Sequence, residues 1–402
     1  MSRLLKGSVS LPGSKSESNR ALMIAAYGGF PLQVENLSDA HDTALLKAIL
    51  ENKSSVVDCE DAGAVARFLL TYFANKPGTW TLTGTERLCQ RPIAPLIDAL
   101  RQLGAEIIGD SLPLKIVGKS LKGGSVTLDA SLSSQFASSL LLAAPTWEQG
   151  LQLTLTGNLV SMPYLEMTVK MMEHFGVQVI REDSTITVAH QSYQDHPFAV
   201  CPDWSAASYW YEMMALSDGG ELLLKGLKPE SMQGDAMVHK WFKHFGVLTV
   251  FDDQGAWLTR DKGMRVPDTQ ELVFNFTDVP DLFPSVFVTC VALHYRTRFI
   301  GIQNLSIKES NRVDSLISEL SKKYTFINIY NDDELVIDKS LLNESYINTK
   351  NVIFNTYGDH RIAMSLAPVI EQISPLCFDD PNVVTKSYPD FWDDVKQNCL
   401  LL

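Results

Sequence analysis

The apolar positions along the chain fall into a unit that recurs. PLIDALRQLGAEII (95–108) carries apolar residues at helical spacing, then a glycine, then a short apolar run. That order predicts an amphipathic helix stopped at Gly104 and followed by a strand. YLEMTVKMMEHFGVQVI (164–180) repeats it around Gly176 and AMVHKWFKHFGVLTV (236–250) around Gly246, so the glycines stand 72 and 70 residues apart. Glycine just past a helix end supplies the left-handed residue that closes the last turn. RVDSLISELSKKYTFINIY (312–330) reads as a fourth copy with Tyr324 near the glycine position, and HDTALLKAILENKSSVV (41–57) as a weaker one. Each of the four is followed by a second β-like run: PLKIVG, TITVAH, AWLTR and ELVID. Helix–strand–strand units at near-equal spacing predict layered α/β (α+β) domains built from one repeated module.

A chain of 402 residues is longer than one core normally supports, so two domains are expected. The polar, turn-rich segment QSYQDHPFAVCPDWSAAS (191–208) is the candidate crossover between them. No apolar run is long enough to span a membrane, and MSRLLKGSVSLPG lacks the apolar core of a secretory leader. The six cysteines are scattered and form no C-x-x-C pair, which disfavours a disulfide framework or a zinc site and fits a reducing cytoplasm. A formal charge of −13 disfavours nucleic acid and anionic membranes as partners. A small anionic ligand needs only local clusters of Lys and Arg.

Such clusters stand where helices are expected to begin. In LPGSKSESNR (11–20) the pattern predicts a strand over Lys6–Leu11, a turn at Pro12-Gly13 and a helix from about Glu17, capped by Ser14 or Ser16. Walker spacing fails, because only Ser14 separates Gly13 from Lys15. Lys15, Arg20 and the backbone N–H groups of a helix N-terminus make an anion site without a nucleotide, or a capped surface helix with two solvated cations. TGTERLCQRPIAPL (83–96) sets Arg87 and Arg91 before Pro92, which is expected in the first turn of a helix. LSSQFASSLLLAAP (132–145) opens an apolar helix with Ser133, Ser134 and Gln135, an anion cradle or a cap. Asp281 in VPDLFPSVF is expected to cap the helix after it. IKESNRVDSL brings Lys308, Glu309 and Arg312 to a helix start, YGDHRIAMSL brings Asp359, His360 and Arg361 to another, and VVTKSYPDFW carries Lys386. Several helix N-termini with cations, aimed at one place, suit a polyanion.

LPGSKSESNR, TGTERLCQRPI, SSQF, SMPY, PDL, IKESNR, YGDHRIAM and TKSYPDFW occur in the order found in the EPSP synthases, the 5-enolpyruvylshikimate-3-phosphate synthases of the shikimate pathway. The chain resembles that family from residue 4 to about 395. The resemblance implies the enolpyruvyl transferase fold, an inside-out α/β barrel arrangement of two similar domains, each with three βαβαββ repeats. It implies one domain from residues 1–13 and 202–402, a second from 14–201, and an active site in the cleft between them. The implied reaction moves the enolpyruvyl group of phosphoenolpyruvate (PEP) to the 5-hydroxyl of shikimate-3-phosphate and releases phosphate. Neither metal nor organic cofactor is implied, and the enzyme is expected to be a cytoplasmic monomer.

By the same resemblance Lys15, Ser16, Arg20, Ser133, Ser134, Gln135, Ser161, Asp281, Asn304 and Lys308 are expected on shikimate-3-phosphate. Lys15, Gly63, Arg91, Gln135, Arg312, Arg361 and Lys386 are expected on PEP. The catalytic set is Lys15, Asp281 and Glu309, with Glu309 assigned the proton at C3 and Asp281 that of the 5-hydroxyl; Lys15 could share either role. The family's N-A-G-T-A-x-R segment is here Asp61-Ala62-Gly63-Ala64-Val65-Ala66-Arg67, and a family Asp-Asp pair is His41-Asp42. Asp61 either pairs with Arg67 or Arg91 beside PEP or only caps a helix. Two rivals stand: the related enolpyruvyl transferase acting on UDP-N-acetylglucosamine, whose catalytic Cys Cys89 does not match in spacing, and a weakly active or non-catalytic homologue.

Overall fold

One strand-pairing scheme recurs through the molecule. The computed structural model describes residues 3–31, 33–52, 54–264, 266–267, 270–331, 333–343, 352–370 and 373–401. The chain divides into two compact units. The first holds Met1–Gly13, Asp39–His41 and Cys201–Leu402; the second holds Ser14–Ser38 and Asp42–Val200.

In the second unit Val56–Asp58 pairs parallel with Gly78–Thr83, which pairs antiparallel with Leu114–Gly118, and that strand with Glu106–Ile108. Gly124–Asp129, Leu151–Thr156, Thr185–Val188 and Ile180–Glu182 repeat the parallel, antiparallel, antiparallel order. In the first unit it returns in Leu272–Asn275, Thr297–Ile300, Glu334–Asn343 and Thr325–Tyr330. It returns again in Arg3–Val9, Gly219–Lys225, Gly255–Arg260 and Val247–Asp252, with Cys399–Leu401 added beside Arg3–Val9. Among the described residues each unit has a third, reduced parallel pair: Val34–Glu35 with Phe198–Ala199, and a single bridge between Phe354 and Phe378. A parallel pair needs a crossover, and where the paired strands follow one another in the chain a helix supplies it. Gly63–Ala74, for example, joins Val56–Asp58 to Gly78–Thr83.

The expected glycine stops are present: Gly104, Gly176 and Gly246 have φ of 89°, 83° and 79°. Boundaries differ in places. The first strand is Arg3–Val9 rather than Lys6–Leu11, and the helix after it begins at Lys15 with Ser14 as its cap. Pro92 opens no helix; Arg87 lies in the short helix Glu86–Gln90, and the next helix starts at Ala94 with Pro95 in its first turn. The weaker copy is a helix over His41–Glu51 and a strand over Val56–Asp58, while Lys53 lies outside the described residues. The largest departure is 236–245, which is a short α-helix, Val238–Trp241, between two 3-10 turns. Packing explains it: Trp241 meets Phe274 and Phe276 at 5.1 and 5.3 Å while the adjacent Phe242 meets Tyr211 at 5.8 Å. Two neighbouring rings anchored on different partners override a uniform helical twist.

Each unit has its own apolar core. Trp210, Phe276, Phe283, Phe287 and Phe299 are fully buried in the first, and Phe68, Phe136, Leu140 and Trp147 in the second. At about 25 cal/mol per Å2 of apolar surface, each such side chain contributes roughly 2–3 kcal/mol.

Candidate active site

In the second unit, Ser14 caps the helix Lys15–Gly28 by accepting from the Glu17 N–H, which places Lys15 and Ser16 in its first turn. Lys15 Nζ lies 3.0 Å from Asp42 Oδ2, and the carboxylate side chain is only 3% exposed. Asp42, the Asp that remains of the family pair beside His41, therefore fixes the lysine in place. Arg20 is fully buried. Its Nε donates to Thr168 Oγ1 at 2.7 Å, Nη1 to the Ser16 carbonyl at 2.9 Å, and Nη2 to the Tyr164 carbonyl at 3.1 Å. It thus ties its own helix to Met162–His174, and burial pulls its pKa down to about 10.

Ser133 caps the helix Ser134–Ala143 by accepting from the Gln135 N–H at 3.2 Å. Gln135 Oε1 accepts from Arg67 Nη1 at 2.6 Å, and Arg67 Nη2 donates to the Pro92 carbonyl at 3.1 Å. Gly63 begins the helix that carries Arg67. A Cβ on Gly63 would stand 2.6 Å from Arg91 Nη1 and 3.1 Å from Arg67 Nη1. Only glycine lets both guanidiniums close on that helix start, where the helix dipole is also positive. Such a concentration of positive potential favours an anion. The N-cap of this helix is Ala62, with no side-chain capping bond, so Asp61 is not its cap. Ser161 adopts φ 56°, ψ 38° ahead of Met162–His174 and does not cap it. A left-handed non-glycine residue is strained, and strain of this kind gathers at functional positions.

In the first unit a second cluster forms. Asp281 lies in a single 3-10 turn, Pro280–Leu282, not at the expected helix cap. Its two oxygens are taken by arginines from far along the chain: Arg312 Nη1 at 2.8 Å and Arg361 Nη2 at 2.6 Å. Arg312 also donates through Nη2 to Glu309 Oε2 and through Nε to Asp359 Oδ2, both at 2.9 Å. Asp359 in turn caps the helix His360–Leu366 through the Arg361 N–H, and Arg361 Nη1 donates to Tyr209 at 3.3 Å. Burial lowers the pKa of Arg312, but Asp359, Asp281 and Glu309 more than offset it, leaving the guanidinium firmly charged. Burial likewise raises that of Asp281, but Arg361, Arg312 and Lys308 outweigh it and hold the carboxyl well below its ordinary range. Lys308 and Glu309 precede the helix Arg312–Leu320; Asn304 sits in the 3-10 turn Gln303–Leu305; Lys386 ends the turn Pro381–Lys386 and is buried.

The structure thus joins Asp281, Glu309, Arg312 and Arg361 in one first-unit cluster with Lys308 acting on it, and in the second unit it brings Gln135 to Arg67 and Gly63 to Arg91; Lys15 and Arg20 have partners of their own. Arg67, Asp42, Asp359 and Tyr209 belong to these groupings although none was among the expected contacts. Arg67 was at least visible as the last residue of the 61–67 segment, and Asp359 as a charge at a helix start. Among the described residues no group of His, Cys, Asp and Glu could hold a metal ion, and no helix is long and apolar enough to cross a membrane.

The family model described as EPSP synthase (3-phosphoshikimate 1-carboxyvinyltransferase) matches residues 45–395. The chain is 40% identical over 398 residues to the 3-phosphoshikimate 1-carboxyvinyltransferase of Bacteroides fragilis, covering 98% of this chain and 95% of that protein. It is 32% identical over 427 residues to the enzyme of that name from Vibrio cholerae serotype O1, covering 98% and 97%. Among solved structures, EPSP synthase from Acinetobacter baumannii superposes with a TM-score of 0.71 at 19% identity, covering 99% and 96% of the two chains. The enolpyruvyl transferase NikO from Streptomyces tendae does so with a TM-score of 0.72 at 14% identity, covering 98% and 95%. At those identities the two structures speak for the fold alone.

Proposed function

The chain belongs to the EPSP synthase family, and we propose that it transfers the enolpyruvyl group of PEP to the 5-hydroxyl of shikimate-3-phosphate and releases phosphate. The observation that carries this reading is the ion-paired set Asp281, Glu309, Arg312, Asp359 and Arg361, in which Arg312, Asp359 and Arg361 are buried. Two guanidiniums shared among three carboxylates can exchange those partners for the carboxylate and phosphate of PEP.

In the first step the 5-hydroxyl oxygen bonds to C2 of PEP, the hydroxyl loses its proton and C3 gains one. In the second, C3 gives up a proton and the C2–O bond to phosphate breaks. Asp281 takes the hydroxyl proton and Glu309 handles the proton at C3. Ion-paired as described, Asp281 is a carboxylate and a weak base. Substrate anions that draw Arg312 and Arg361 away raise its proton affinity, which is the condition for acid–base work near neutral pH. Arg312, Arg361 and Lys386 in one unit, with Lys15, Gly63, Arg91 and Gln135 in the other, hold PEP. Lys15, Ser16, Arg20, Ser133, Ser134, Gln135, Ser161, Asp281, Asn304 and Lys308 hold shikimate-3-phosphate. The positive groups stabilise a compact polyanion as its charge redistributes.

We assign the step to the making of chorismate in a reducing cytoplasm, consistent with six free cysteines, and expect a monomer without nucleic-acid partners. The UDP-sugar alternative gains nothing from Cys89, whose thiol faces the Gly84 carbonyl at 3.6 Å. The test is phosphate release from PEP with shikimate-3-phosphate or UDP-N-acetylglucosamine as acceptor. Release with the first and not the second is expected; the reverse, or none with either, overturns the reading.

A further inference from the structure

Beside the first-unit cluster lies an acid that the reaction above does not use. Asp235 stands in the 3-10 turn Gly234–Met237 and is 2% exposed. Its Oδ2 accepts from the Ser205 hydroxyl, while Oδ1 is buried with no hydrogen-bond partner among the described residues. Ser205 is held in turn, since its N–H donates to Asp203 Oδ1 at 2.7 Å. Nearby, Gln233 donates to the Pro202 carbonyl at 3.0 Å and accepts from the Trp204 N–H at 2.8 Å, so the turn is latched onto the start of the helix Trp204–Leu216. The charged groups acting on Asp235 are Asp281, Arg361 and Asp203. The helix packed against its turn also carries Tyr209, Tyr211 and Glu212, and His239 and Lys240 follow on the next helix.

Formal charge shows why this acid matters. Asp281, Glu309 and Asp359 balance Arg312, Arg361 and Lys308, three against three. An ionised Asp235 is a fourth negative charge beside a place meant for an anion, and it competes with Asp281 for Arg361. Building on the function proposed above, we infer that Asp235 is a positioning residue: Ser205 holds it one helical turn from the Tyr209 that Arg361 reaches, where as the neutral acid it leaves Arg361 to Asp281 and so sets the charge of the anion-binding cluster.

Burial first, then the neighbouring Asp281, push its carboxyl up to about 7, against the smaller opposing pull of the Ser205 hydroxyl and Arg361. kcat/KM for PEP should therefore fall as pH rises through neutrality. Asp235→Asn keeps a neutral side chain at every pH. The ratio of Asp235→Asn to wild type in kcat/KM for PEP should rise by at least about fivefold from pH ~6 to ~8, the titration of PEP itself cancelling in the ratio. Ser205→Ala removes a bond that favours the carboxylate, so the wild-type fall should move to higher pH. A constant ratio, or a Ser205→Ala profile superposing on the wild type, overturns the inference.

A second readout does not depend on the reaction. A group with a raised folded pKa contributes stability that is present below its unfolded value and is lost as pH rises through the folded one. The Tm of Asp235→Asn minus that of wild type should thus grow from pH ~4.5 to ~7 and level off above. A flat difference sinks the inference whatever the acceptor proves to be. Absence of phosphate release by the wild type at any pH sinks the proposed function instead.

Discussion

Lys15 and Asp42 form a pair in which one partner is expected to work and the other to hold it. The ammonium is 15% exposed and the carboxylate 3%, so the lysine is fixed before any ligand arrives. A preset cation in a poorly solvated place stabilises developing negative charge with little reorganisation. Lys15→Ala should lower kcat/KM by at least ~100-fold, about 2.7 kcal/mol, in a steady-state assay with both substrates. A loss of only a few-fold would remove Lys15 from the catalytic set. Glu212 is the opposite case, an acid with no partner among the described residues. It is fully buried in the helix Trp204–Leu216, neither oxygen has a hydrogen-bond partner among the described residues, and burial pushes its pKa well above the ordinary value. It folds as the neutral acid. The unfolded carboxyl ionises near pH ~4.3, so above that pH wild-type stability falls by up to about 1.4 kcal/mol per pH unit until the folded group titrates. Glu212→Met should melt higher than wild type at pH ~8 and by a smaller margin at pH ~5. Equal margins at both pH values would mean that the buried carboxyl has found a partner.

The helix Arg312–Leu320 organises the first-unit cluster from both of its ends. At its start Arg312 gathers Asp281, Glu309 and Asp359. At its end the fully buried Glu319 accepts from Lys322 at 2.5 Å, from the Asn355 N–H at 2.9 Å and from Tyr357 at 2.8 Å. The segment leading to Asp359 and Arg361 is thereby fastened at two points one helix apart. Glu319→Gln keeps the shape but loses the charge-assisted bonds, a cost of roughly 2–3 kcal/mol. It should lower Tm, speed amide exchange over 355–361, and raise KM for PEP more than it lowers kcat. Unchanged exchange there would show that the cap at Asp359 alone holds the segment. These contacts mark where sequence reading reaches its limit. The stops at Gly104, Gly176 and Gly246 were legible, and the caps Ser14 and Ser133 were legible as one of two and one of three candidates, because each depends on residues within one or two turns. The helix expected over 236–245 was not, because Trp241 and Phe242 answer to rings in other elements. Asp281 was legible as an acid at a helix start but not as an ion-pair partner, since its arginines lie 31 and 80 residues away.

At the scale of the whole molecule, the expected contacts to shikimate-3-phosphate are drawn from both units. Lys15, Ser133, Ser134, Gln135 and Ser161 belong to the second, and Asp281, Asn304 and Lys308 to the first. Each unit has its own core and sheets, so each is able to unfold as a cooperative body. A ligand that needs both folded binds neither half alone, and its binding energy then counts against the unfolding of either one. At ~100 times its Kd that is about 2.7 kcal/mol. Two calorimetric transitions, or one broad one, should therefore sharpen and merge when shikimate-3-phosphate is added. The sharper test uses a contact in one unit and a reporter in the other. Lys308→Ala should abolish most of the ligand's protection of second-unit amides such as those of Leu140–Ala143 against hydrogen exchange, although Lys308 lies in the first unit. If those amides remain protected by the ligand in the variant, shikimate-3-phosphate is held by the second unit alone, and Lys308 takes no part in binding it.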